Sequence, residues 1–435
     1  MEALLNIRMT TTRDKRRLLP RFVLAGLVGA SVLAFGVGPA DAAVTTVNCP
    51  PYGSDDLQAK ITAAAPGATL LIKGTCTGNF TVSQNLTLQG AGQDATLNGG
   101  GAGHTLTING PATVTVRSLT VTGGSAIGGV GGGIFAGNAT LNLVNDTVRG
   151  NTVTYWGGGI FTYASTLTVT GSTVSGNTTL DQNGEGNGAG IYVSNSTATV
   201  TASTVSGNTA TNLGAIVNDG GGTLTITASR LTGNTNVALG NFGGTVTLTN
   251  SSVDHNTAQD GAGGIWNDSA SQDATMTINN STVADNIAQG GGGPGAYPFN
   301  GGGGIFNFSE GGNTASLVAT HLALVGNTAP NSQGGGIENL DAFGGAAALV
   351  TLSQSFVGGN QSVLGGGIYN DANFGPGGPA SISLQAGTII AHNKASSDGG
   401  GVYNSATGSL LIAPGVIFLL NSPDNVSDES PGGNS

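Results

Sequence analysis

A twelve-residue unit recurs along this chain and restricts its fold more than any other feature. The clearest copy is TLTVTGSTVSGN at residues 166–177. Copies of the same span end at Asn151, Asn208, Asn234, Asn256 and Asn286, and looser ones end at Asn327, Asn360, Asn393 and Asn421. Ahead of each stands Gly-Gly-Ile or a variant, centred on Ile134, Ile160, Ile191, Ile216, Leu239, Ile265, Ile305, Ile337, Ile368 and Val402. From Ile216 onward Asn follows two residues later, as in Asn218, Asn267 and Asn404. Within the unit, apolar residues alternate with Thr, the period of a strand. Leu167, Val169 and Val174 point one way, Thr168 and Thr170 the other. One unit cannot bury its own apolar face, so neighbours must stack. The expected class is all-β, a right-handed parallel β-helix with three strands per coil and about 13 coils, roughly 60 Å long. Corner Asn residues are expected to tolerate left-handed backbone and to stack their amides along the axis.

Composition agrees. The 435 residues include 78 Gly, and only 8% are charged. With 38% apolar residues the chain is too hydrophobic for disorder. Six of the 12 Lys and Arg precede residue 43, as do three of the 23 acids, so the remainder carries a net charge of −14. Such a surface does not attract nucleic acid or anionic membrane.

Residues 1–42 read as a secretory signal peptide: a basic stretch from Arg13 to Arg21, an apolar run over 22–37, and small residues around Ala40 and Ala42. The expected location is therefore secreted, extracellular or associated with the cell surface, with no membrane span in the mature chain. Export permits disulfides, and Cys49 and Cys76 are the two cysteines available. The β-helix is assigned to 43–422, with a cap over 49–76 and repeats over about 80–422. Within the cap, residues 54–65 read as a short helix with Ser54 as N-cap and Leu57 and Ile61 on one face. The tail 423–435 reads as acidic and disordered.

The Gly-Gly-Ile and Ser-Thr-Val-Ser-Gly-Asn pair resembles the repeats of right-handed β-helix proteins of the pectin-lyase-like superfamily. It is most similar to bacterial surface members of the polymorphic outer-membrane protein type, with their GGA-Ile/Leu/Val and Phe-x-x-Asn signatures. The second signature occurs here only as Phe418-Leu-Leu-Asn421, and no C-terminal barrel follows. The resemblance implies the fold over residues 49–421 and says little of activity, since one fold hosts many.

Hydrolases of that superfamily place paired Asp on one strand face, and lyases pair a basic residue with Ca²⁺-binding acids. None of the galacturonan hydrolase motifs is present, and Asp55-Asp56 is the only Asp-Asp. Asp254-His255 and His392 read as solvated corners, and Asp146 as a surface partner of Arg149. Asp219, Asp268, Asp273, Glu310, Glu338, Asp341 and Asp371 fall toward one side of the later coils. They read as a solvated face or as a loose Ca²⁺ site. No other cofactor is implied.

One pattern exceeds composition. The residue after each signature Ile should face outward, and seven of the ten are aromatic: Phe135, Phe161, Tyr192, Trp266, Phe306, Tyr369 and Tyr403. Stacking for stability explains this, and so does a platform for sugar rings. A stripe of Thr168, Thr201, Thr225, Thr247 and Thr277 also offers a way to order water. The resulting expectation is a non-enzymatic, adhesin-like or glycan-binding protein whose partner is a polysaccharide or a host or cell-surface glycan. The alternative is a polysaccharide lyase or hydrolase with its site in the C-terminal loops.

Overall fold

The computed structural model describes residues 43–181, 186–259, 261–290, 301–374 and 378–431. The leader assigned to 1–42 and the last four residues of the tail lie outside them. The described chain is a parallel β-helix. A typical coil runs Ile160–Tyr163, Thr166–Thr170, Thr173–Ser175 and Thr178–Thr179. The first two segments belong to one large sheet and the others to two further sheets, so three faces arise from four short strands. The first face is bent, and in Ile216–Thr227 and Leu239–Thr249 its two segments fuse into single strands. Among the described residues the strands pair in parallel, apart from an isolated antiparallel bridge between Gly103 and Ser125, and nearly all pairs are in register: Leu167 lies between Leu141 and Ala198, and Val174 between Val148 and Val205. These inward residues form one continuous core, with Val174 and Ile265 fully buried. The same register aligns Thr168 with Thr199, not Thr201, so the threonine stripe runs through Thr199.

Left-handed residues make the bends. Gly176, Gly207, His255, Asp285 and His392 take φ of 53–60° at one corner, and Asn145, Gly171, Asn250 and Asn280 take 47–59° at another. Gly recurs at the first corner and Asn at the second, because a Cβ costs energy in that conformation and Asn and Asp bear it best. The repeat Asn itself is not the bent residue, contrary to expectation. It follows the bend and turns inward. Asn256 is fully buried, and its Nδ2 donates to Asn286 Oδ1 at 2.9 Å and Leu231 O at 3.1 Å. Its Oδ1 accepts from the backbone and side chain of Asn234 at 2.9 and 3.0 Å. This ladder runs unbroken from Asn151 to Asn421. A second ladder joins Asn218, Asn241, Asn267, Asn307, Asn339, Asn370 and Asn404 on the first face. Inside a solenoid the bends break the backbone pairing, and an amide with two donors and an acceptor fills the gap without leaving buried polar groups unpaired.

The short helix is Leu57–Ala63, with Leu57 and Ile61 buried in the core. Its N-cap is Asp56, whose side chain accepts from Ala59 N at 3.0 Å, rather than Ser54. Cys49 and Cys76 form a disulfide with a Cα–Cα distance of 5.1 Å. The tail is not wholly irregular. Val426–Asp428 is a strand paired with Val402–Asn404, because Asn404 continues its ladder onto Asp428 at 2.8 Å. Asp146 is not a surface partner of Arg149. It is buried and accepts from Leu119 N and Val144 N, each at 2.8 Å. Burial pushes its carboxyl up to about 7 despite those bonds and the Arg117 charge. Among the described residues no helix is long and apolar enough to cross a membrane.

Candidate functional site

The residues after the signature Ile do form one file on the outer side of the first face. Register carries Phe135 through Phe161, Tyr192, Val217, Gly240, Trp266, Phe306, Glu338 and Tyr369 to Tyr403. Phe135, Phe161 and Tyr192 stack with ring centroids 5.7 Å apart, and Tyr369 and Tyr403 stack at 5.4 Å. At Gly240 the gap is filled by Phe242, whose ring would lie 2.5 Å from a Cβ placed there. Phe242 passes the row on to Trp266 at 5.6 Å, and Trp266 to Phe306 at 5.5 Å.

The row is not an open platform. Phe161, Tyr192, Phe306 and Tyr369 keep 6%, 5%, 1% and 6% of their surface, too little for a sugar ring to stack on. Trp156, Leu213 and Val130 pack over the first group, and Ala262, Phe308, Leu340 and Ala342 over Phe306. These covering residues come from the variable loops and from the next outward position of each strand. Phe135, Trp266 and Tyr403 remain half-buried and keep part of their ring surface.

The file contains one acid. Glu338 occupies the aromatic position between Phe306 and Tyr369. It is 1% exposed, and its Oε2 has no hydrogen-bond partner. Gly301 makes room for the carboxyl, since a Cβ there would stand 1.7 Å from Oε2. Two residues along the next coil, Asp371 is also buried. It accepts from the Tyr369 hydroxyl at 2.8 Å and from Thr407 Oγ1 at 3.2 Å. Burial, with the Asp371 charge adding to it, holds Glu338 well above the carboxylate range. Burial and the same charge also push the Tyr369 hydroxyl up, and Tyr403 rises to about 12 mainly by burial.

A second acidic pair lies lower on the same face. Asp268 is pushed up to about 8, mainly by burial and then by the Glu310 charge, while a bond from Ala270 N at 2.9 Å opposes this. Burial also raises Glu310. The remaining candidates have local roles: Asp219 accepts from the Tyr192 hydroxyl at 2.7 Å, and Asp273 from Thr314 N at 2.8 Å. Asp341 is also buried, neither of its carboxylate oxygens has a hydrogen-bond partner, and burial raises it. The acids expected as a solvated face are therefore largely desolvated. No Lys or Arg contributes to the shifts of Asp268, Glu310, Glu338 or Asp341 among the described residues. Nor does any group of three or more His, Cys, Asp and Glu there form a metal-binding cluster.

Elsewhere, His255 and His392 do sit at left-handed corners. Asp254 pairs with Arg230 and with His255 Nδ1 at 3.0 Å. Burial would raise Asp254, but bonds from Arg230, His255 and Thr232 hold it at about 2. Two shallow clefts of about 590 and 500 Å³ follow the outer bends, lined almost entirely by Ser, Thr, Asn and Ala, with Arg230 in the second. The sequence grouped Glu338 with the acids on one side of the later coils. The signal that singles it out is its place in the file, an acid at a position held mostly by rings.

No known protein family matches the chain, and no curated protein does. Among solved structures, a GH87 α-1,3-glucanase catalytic domain in complex with tetrasaccharides is similar, at 14% identity and a TM-score of 0.44. The match covers 90% of this chain and 70% of that one. Pectate lyase Pel9A is similar at 15% identity and a TM-score of 0.28, covering 91% and 82%. An endo-xylogalacturonan hydrolase from Aspergillus tubingensis is similar at 11% identity and a TM-score of 0.34, covering 90% and 97%.

Proposed function

We propose that this chain acts on a polysaccharide by acid–base chemistry at Glu338 and Asp371, the alternative among the sequence readings. The observation that carries it is a carboxyl buried in an aromatic file, unbonded at Oε2 and beside a second carboxylate. Burying such a group without a partner costs about 1–3 kcal/mol or more, and groups kept at that cost cluster at functional sites. The two environments separate the roles. Burial disfavours the charged form of Glu338, which makes it the candidate proton donor to a glycosidic oxygen. Asp371, held by hydrogen bonds from Tyr369 and Thr407, is the second carboxyl, placed to activate water or stabilise positive charge at the anomeric carbon. Sugar rings meet aromatic surface at half-exposed Trp266 and Tyr403 on either side, and Trp266 Nε1 is itself a buried donor without a partner. Substrate must part the side chains over Glu338, which keeps bulk water from the proton donor until it binds.

The field supports a neutral substrate. Uronate chains would meet a net charge of −14 and, among the described residues, no Lys or Arg that acts on Glu338, Asp268 or Glu310. Export by the leader over 1–42, and residence outside the cell, are part of the same proposal.

A second reading keeps glycan binding without turnover, as in an adhesin, and rests on the ring surface left on Phe135, Trp266 and Tyr403. Release of reducing ends from a panel of neutral and uronate polysaccharides separates the two. Turnover on a neutral glucan or related polymer that Glu338→Gln abolishes, with folding retained, supports the first. Glycan binding without turnover on any member overturns it in favour of the second.

A further inference from the structure

The middle coils carry a nearly uniform sheet face of threonine. Five stacked strand segments, 166–170, 197–201, 223–227, 245–249 and 275–279, pair in unbroken register over these positions. The second and fourth residues of each belong to the core, from Leu167 to Ile278. The first, third and fifth face outward, and fourteen of these fifteen are Thr, with Asn279 the exception. The first file is exposed and the other two are half-buried. Strand propensity alone does not produce this. The adjoining sheet, under the same constraint, carries Thr204, Arg230 and Ser252 in one file and Ser206, Thr232 and Asp254 in the next. Beyond the block the pattern breaks, at Asn142 and Val144 before it and at Val318 after it. Nor are the hydroxyls used within the protein. Those of Thr179, Thr211 and Thr232 bond to other groups, but none of the fourteen has a hydrogen-bond partner among the described residues.

The spacing is that of a water lattice. Neighbouring strands lie about 4.8 Å apart and alternate residues of one strand about 6.7 Å apart, so the block is a grid of about 19 by 13 Å. Tetrahedral water joined by O–H···O bonds of about 2.75 Å repeats at about 4.5 Å between second neighbours and at about 7.3 Å along its hexagonal axis. Each pair of periods agrees within about a tenth. The branched Cβ holds Thr to few rotamers, and the core beneath fixes the strands. Hydroxyls and methyls therefore repeat with the backbone. Water that bridges such hydroxyls is already placed to continue into a crystal. What the face lacks narrows the occupant further. None of its fifteen positions is charged, in a region of net charge −14, so an ionic partner gains nothing there. It offers no ring on which a sugar could stack. We infer that this face binds the surface of ice. Glu338 lies on the other arm of the bent face, so ice binding does not depend on catalysis there.

The test is partition of the full chain between slowly growing ice and the remaining liquid. The wild type should enter the ice and keep its crystals small on annealing. Thr225→Lys with Thr247→Lys, in the middle of the grid, should leave the protein in the liquid with an unchanged thermal midpoint, because both side chains point outward. Ser206→Lys, on the adjoining sheet, should partition as the wild type does. If the Lys pair lowers the midpoint, Thr225→Tyr, which suits a strand, is read in its place. A wild-type chain that stays in the liquid, a grid variant that still enters ice, or a face that captures insoluble neutral polysaccharide and not ice overturns the proposal.

Discussion

Asp268→Asn should stabilise the protein, and only above the acid range. In the unfolded chain an Asp carboxyl titrates near 3.9. In the folded state burial and the Glu310 charge carry Asp268 up to about 8. The folded form thus binds a proton that the unfolded form has released. Stability from this group is fully present below about pH 4 and is lost as pH rises toward 8. At pH 7 the difference of about three pH units costs about 4 kcal/mol, at 1.36 kcal/mol each. Asn has the same shape and no proton to hold, and it keeps an oxygen for the bond from Ala270 N. The variant should recover up to about 4 kcal/mol at pH 7 and nothing at pH 4. Urea unfolding followed by circular dichroism at pH 4, 5.5, 7 and 8 gives the comparison. The wild type should weaken steadily across the series relative to the variant. A constant difference at every pH, or a variant weaker at pH 8, would show that Asp268 is ionised in the folded state and would refute the burial argument.

Asn256→Ala should cost about 3 kcal/mol or more, because it strands buried donors and acceptors in both flanking coils; an equilibrium unfolding shift below about 1 kcal/mol would mean the ladder contributes little beyond geometry. Phe306→Ala removes a ring that is 1% exposed and should cost about 3–5 kcal/mol; calorimetry of a variant as stable as wild type would return the aromatic file to a purely recognition role. Native protein should show no free thiol, and replacing Cys49 and Cys76 by Ala should lower stability by roughly 3 kcal/mol for a loop of this length. Two titratable thiols in the native state, or an unaltered midpoint, would contradict the linkage at the start of the coil.

Translational repetition is what made the fold legible. Thr-Leu-Thr-Val-Thr can be satisfied only by a stack, and stacking by whole coils aligns every like residue without further information. So Ile265 inward and Trp266 outward were readable, as were the cysteine pair and the face of Leu57 and Ile61. Register within a strand was less secure: Thr201 and Thr199 both sit in alternating runs, and pairing chose Thr199. The Asn residues were legible as corner residues, but their inward turn was not, because it depends on the preceding residue taking the left-handed bend. What covers the outer file was beyond the sequence. Trp156, Leu213 and Val130 reach it from segments of unequal length that carry no period, so repetition says nothing of where they pack. The same holds for the acids. Glu338 and Asp371 lie 33 positions apart and meet only because one coil lies on the next. Their desolvation is set by loops and by Gly301, and solvent access, unlike periodicity, is a property of the whole packed surface.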